Sequence, residues 1–96
     1  MPLVPMTQML LDARRAKKAV GAFLPWDYES AYAIAAAAKA LREPVIFLIG
    51  DMPHYMGGYK NIAAIARQVA DELDMDIALH ADHFRTYELV VEAITG

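Results

Sequence analysis

Five consecutive apolar residues, Val45-Ile46-Phe47-Leu48-Ile49, stand between Glu43-Pro44 and Gly50. A run this short, apolar on both faces and bounded by chain breakers, reads as a strand covered from both sides. Parallel sheets meet that condition, because their crossover helices lie on both faces. The segments around it fit the same scheme. Met9, Leu10, Ala13 and Ala16 recur at helical spacing behind Thr7, a fair N-cap, which predicts a helix over residues 7–18. Val20-Gly21-Ala22-Phe23-Leu24 reads as a short strand stopped by Pro25. Asp27 then caps an alanine-rich helix over 28–42, and Glu29 suits its first turn. Small side chains let such a helix lie close to a sheet. A third helix is predicted over 59–73, with Ile62, Ile65, Ala66, Val69 and Leu73 on one face. Ile77 to His80 forms the third strand, and Thr86 caps a last helix to about Ile94.

One helix followed by three strand–helix units implies an α/β protein with parallel strands and right-handed crossovers. No internal repeat, low-complexity tract or linker interrupts residues 1–96. With 96 residues, 57% of them hydrophobic, there is room for one small core. The formal net charge is -3 and no basic stripe runs along the chain, which argues against a nucleic-acid partner. The one basic cluster, Arg14-Arg15-Ala16-Lys17-Lys18, closes the first helix, where positive charge suits the helix dipole. Cysteine is absent, so there is no disulfide framework and no thiolate metal site. The N-terminus lacks the pattern of a secretory signal and the apolar runs are too short for a membrane span. The expectation is a soluble cytoplasmic protein without a membrane partner.

Chemistry concentrates in Ile77-Ala78-Leu79-His80-Ala81-Asp82-His83. Strand alternation puts Ala78, His80 and Asp82 on one side and Ile77, Leu79 and Ala81 on the other. His83 falls at the strand's end, where the backbone can turn. A carboxylate beside two imidazoles can hold a metal and move a proton. Zinc takes histidine nitrogen readily, but a catalytic site commonly needs three protein ligands and an open position. The competing reading makes His80 a satisfied core histidine and Asp82 and His83 the start of a loop. His54, Tyr55 and Trp26 fall on the same rim of a parallel sheet. His54 reads as a solvated loop residue, and Trp26 as the cover of a hydrophobic edge. Gly57-Gly58-Tyr59-Lys60 before a helix lacks the ending of a P-loop.

The whole chain resembles the N-terminal part of the class II, zinc-dependent ketose-bisphosphate aldolases. Thr7-Gln8-Met9-Leu10 resembles that family's opening helix, Val20-Gly21-Ala22-Phe23 its first strand, and Glu29 a glutamate at the start of the next helix. Pro44-Val45-Ile46 and Tyr55-Met56-Gly57 resemble its second βα unit. The specific match is apolar-Leu-His-x-Asp-His, here Leu79 to His83. The resemblance implies a partial (β/α)₈ barrel: an N-terminal helix and the first three βα units. It implies that His83 is a zinc ligand, that Asp82 transfers a proton at the scissile carbon–carbon bond, and that His80 supports them from nearby. It implies a ketose phosphate substrate, with zinc polarising the ketone. Leu24 stands where the family's first strand carries asparagine, and Gly50-Asp51-Met52-Pro53 where its second strand runs into a serine-containing loop. The family's remaining zinc histidines and phosphate loops lie on later strands. Three strands leave two open sheet edges, so the expectation is a fragment, a compact three-strand fold, or edges covered by another chain, as a homo-oligomer or with a complementing chain. A non-catalytic aldolase-like subunit is the rival reading.

Overall fold

A computed structural model of the chain describes residues 3–50 and 57–95. Seven elements follow in order: α1 (Met6–Arg15), β1 (Ala22–Phe23), α2 (Tyr28–Ala40), β2 (Val45–Ile49), α3 (Tyr59–Leu73), β3 (Ile77–Ala81) and α4 (Tyr87–Thr95). The three strands form one open sheet in the order β1-β2-β3, all parallel. The predicted bounds of β2 and α3 hold to the residue. β1 is shorter than the predicted 20–24 because only Ala22 and Phe23 pair with β2, opposite Ile46 and Phe47. α1 begins one residue before Thr7, with Pro5 in the N-cap position and no side-chain cap, and it ends at Arg15 rather than Lys18.

Strand alternation sorts the core into two faces. On one, Val45, Phe47 and Ile77 pack against Ala31 and Ala35 of α2 and Ala66, Val69 and Ala70 of α3. Ala31 and Ala35 are wholly buried, so the alanines of α2 do bring the helix close to the sheet. On the other, Ile46 and Ala78 pack with Met9 of α1, flanked by Val4, Val20 and Leu48. The segment ahead of α1 is fixed there by a bond from Val4 N–H to the Ile77 carbonyl, 3.0 Å. α1 covers only the strand beginnings. Leu48, farther along β2, is half-buried while the other four β2 residues are buried.

Helix ends follow local chemistry. Asp27 accepts from Ser30 N–H at 2.8 Å, and the Ser30 hydroxyl receives Asp27 N–H at 3.0 Å, a reciprocal cap for α2. Thr86 Oγ1 accepts from Leu89 N–H at 3.2 Å at the start of α4, as predicted. α1, α2 and α3 all stop with a left-handed residue that is not glycine: Lys17 (φ 58°), Arg42 (φ 58°) and Asp74 (φ 49°). Each is secured by a six-residue main-chain closure: Lys18 to Ala13, Glu43 to Ala38, and Met75 to Ala70. Arg14 and Arg15 lie in the last turn of α1 as expected, whereas Lys18 continues past it to pair with Glu43 at 2.9 Å. Two side-chain bonds tie elements together on the outer surface. Tyr28 of α2 donates to Glu72 of α3 at 2.9 Å, and Lys39 donates to the Asp74 carbonyl at 3.0 Å.

Phe47, 1% exposed, is the largest fully buried side chain. Phe47→Ala should cost about 3–5 kcal/mol, read from the urea midpoint, because the lost burial is compounded by a cavity under both helices. The Asp27 carboxyl sits below its ordinary range, chiefly because the Ser30 amide donates to it and then because the Ser30 hydroxyl does. A depressed carboxylate stabilises the fold above its unfolded pKa, and that contribution is lost as pH falls through the folded value. Asp27→Ala should therefore lower the unfolding temperature at neutral pH, with the gap to wild type closing below about pH 4.

Candidate functional site

β2 and β3 pair over their full length, from Val45 opposite Ile77 to Ile49 opposite Ala81. The ladder runs one bond further: Asp82 N–H donates to the Ile49 carbonyl at 2.9 Å. That bond pins Asp82 at the C-terminal end of the sheet, just past β3. In the register His80 lies opposite Leu48, on the face that carries Ile46 and Ala78. The predicted alternation is therefore observed, with Ala78 on one face and Ile77 and Leu79 on the other.

The two imidazoles flank one carboxylate. His80 Nε2 stands 4.0 Å from Asp82 Oδ1, and His83 Nε2 stands 3.4 Å from Asp82 Oδ2. The first is beyond hydrogen-bond reach and the second is long for one. Side-chain exposure is 41% for His80, 35% for Asp82 and 90% for His83, so their mutual attraction is heavily screened by water. Leu24, Leu48, Gly50 and Phe84 line an open depression together with Asp82, His83 and Arg85. The floor is apolar and the titratable groups stand at its edge. This matches chemistry at the mouth of parallel strands. A second concavity lies at the opposite end, between α1 and the strand beginnings, where Met9 and Val20 meet the Lys18–Glu43 pair.

His83 has φ 56°. Unlike Lys17, Arg42 and Asp74 it ends no helix. A left-handed residue other than glycine costs about 1–2 kcal/mol. Such strain in a loop beside a carboxylate is the kind found at functional sites.

Among the described residues no group of three His, Cys, Asp or Glu converges on a point that could hold a metal. Zinc needs three or four donors at about 2.0–2.3 Å. His83 thus offers zinc one imidazole donor at a strand end, a part of a ligand set and not a whole site. His54 and Tyr55 lie outside the described residues. Trp26 is 61% exposed, and its backbone N–H donates to Ser30 Oγ at 2.8 Å. Tyr59, expected in the core or rim, is buried at 5% exposure. Phe84 was not signalled by the sequence pattern, although an aromatic residue immediately after Asp82-His83 is the cue that marks it.

Parallel strands with chemistry-bearing residues at their C-terminal ends place this chain among α/β proteins of the βα-loop type. Residues 4–96 match the class-II fructose-bisphosphate aldolase family, and the chain belongs to that family. It is 36% identical to the probable fructose-bisphosphate aldolase of Bacillus subtilis and 35% identical to the fructose-bisphosphate aldolase of Geobacillus stearothermophilus, in each case over 98% of this chain and 34% of the relative. It is 33% identical to the 6-phospho-5-dehydro-2-deoxy-D-gluconate aldolase of Shouchella clausii, over 98% of this chain and 33% of that protein. The chain thus spans about a third of the length of the curated relatives it matches.

If His83 holds its conformation at an energetic cost, His83→Gly should raise stability by about 1 kcal/mol while removing the imidazole. Chemical denaturation reads this directly. An unchanged or lower midpoint would show that the turn is unstrained.

Proposed function

We propose that residues 1–96 form the first three βα units of a (β/α)₈ barrel in a cytoplasmic, zinc-dependent aldolase. Its reaction is the reversible cleavage of a ketose phosphate or bisphosphate into dihydroxyacetone phosphate and an aldehyde. The observation that carries this is the placement of Asp82 and His83 at the C-terminal end of β3 in a chain of this family. The open sheet supports the barrel reading. Leu48 and His80 lie toward the strand ends of the face whose beginnings α1 covers, and Phe23 and Leu41 are 52% and 74% exposed beside the β1 edge. The remaining strands of a barrel, from the same polypeptide or a complementing chain, would cover all of these. No helix among the described residues is long and apolar enough to cross a membrane.

In this reading His83 contributes one ligand to zinc and the other ligands come from outside the described residues. Zinc held there would supply a Lewis acid for negative charge on the ketone oxygen. Asp82 moves the proton. In cleavage its carboxylate accepts the proton of the hydroxyl on the carbon that becomes the aldehyde, and in condensation it returns it. Its backbone bond to Ile49 fixes where that carboxylate stands, and His80 and His83 bracket it. Leu24 and Leu48 supply apolar lining beside it. A non-catalytic subunit is the second reading, favoured by Leu24 and Gly50, which stand where the family resemblance implies an asparagine and a serine-containing loop.

Asp82→Asn should lower kcat for aldol cleavage about 10²- to 10⁴-fold with zinc content unchanged, the loss typical of a missing proton-transfer group. Retained turnover would remove Asp82 from this role, and absence of turnover in the unmutated protein would favour the second reading.

A further inference from the structure

The left-handed turn at His83 is strung between two anchors. Before it, Asp82 N–H is bonded to the Ile49 carbonyl at 2.9 Å. After it, Phe84 packs against the cluster of Ile49, Tyr59 and Ile62. The Phe84 and Tyr59 rings lie 5.8 Å apart between centroids, tilted by 31°, a favourable aromatic spacing. Tyr59 is itself buried at the first position of α3, so the ring that receives Phe84 is held rigidly. Ile49 belongs to both anchors, as the acceptor of the Asp82 bond and as a member of the cluster that receives Phe84. Between them the chain bends at His83, whose φ is 56°. His83 is otherwise 90% exposed in its side chain, so its own packing does not fix its conformation.

We propose that Phe84 is a positioning residue for the Asp82–His83 pair. Its ring, seated on Tyr59, holds the His83 backbone left-handed and thereby sets where the imidazole stands relative to the carboxylate. This rests on the reading of His83 as a zinc ligand beside the proton-transfer residue Asp82. An orienting residue behind a metal ligand is worth about 10- to 100-fold in metal affinity.

The test titrates zinc alone into the full protein and its Phe84→Ala, Phe84→Leu, Phe84→Tyr and His83→Ala variants. Amide hydrogen exchange is followed at Asp82, with Val69 in the buried face of α3 as the internal reference. Phe84→Ala should weaken zinc binding about 10- to 100-fold and speed exchange at Asp82 while Val69 stays protected. Phe84→Tyr, which keeps the ring, should restore both. If Phe84→Ala loses protection at Val69 as well, Phe84→Leu decides, since it keeps the apolar bulk and loses the ring contact: weakened zinc binding supports the proposal and wild-type binding overturns it. Zinc affinity unchanged in a folded Phe84→Ala, with binding lost in His83→Ala, overturns the positioning role alone. Zinc binding that survives His83→Ala overturns the ligand reading, and the proposal with it.

Discussion

The pairing of β2 with β3 is the interaction on which the rest depends. Five residues of each strand meet in register; β2 buries all but Leu48, and β3 buries Ile77 and Ala78 before opening to solvent toward Ala81. The pairing makes one face for α2 and α3 and another for α1. It also carries Asp82 to the sheet end through the Ile49 carbonyl. Removing side chains from this ladder would disturb the core and the candidate site together, because one set of backbone bonds defines both.

The two ends of the sheet differ in kind. At the strand beginnings α1 closes the face with apolar contacts around Met9. At the strand ends the same face is left to Leu48 and His80, and the carboxylate and imidazoles stand partly in solvent. Stability is concentrated at the closed end and in the helix-covered face. The open end holds the one left-handed residue other than glycine, among those described, that ends no helix. Strain there is tolerated because the flanking residues are fixed on both sides, by a backbone bond and by an aromatic contact.

Much of this was legible in the residues. The apolar run Val45–Ile49 could be nothing but a covered strand, and α3 announced itself by the spacing of Ile62, Ala66 and Val69. Asp27 and Thr86 act as the caps their chemistry predicts. What the pattern misplaced were ends set by tertiary pairing. β1 is two residues long because only Ala22 and Phe23 pair with β2, and α1 stops at Arg15 because Lys17 turns left-handed, a choice no local propensity of lysine dictates. His80, Asp82 and His83 were found by their types and spacing. Their mutual geometry was not, since it depends on the φ of His83 and on Phe84 reaching Tyr59 across the sheet end.

X-ray absorption at the zinc edge of the metal-loaded protein tests the central claim most directly. Wild type should show histidine nitrogen in the first coordination shell, and His83→Ala should show one nitrogen fewer. An identical shell in the two proteins would mean that the strand end bearing Asp82 and His83 does not hold the metal.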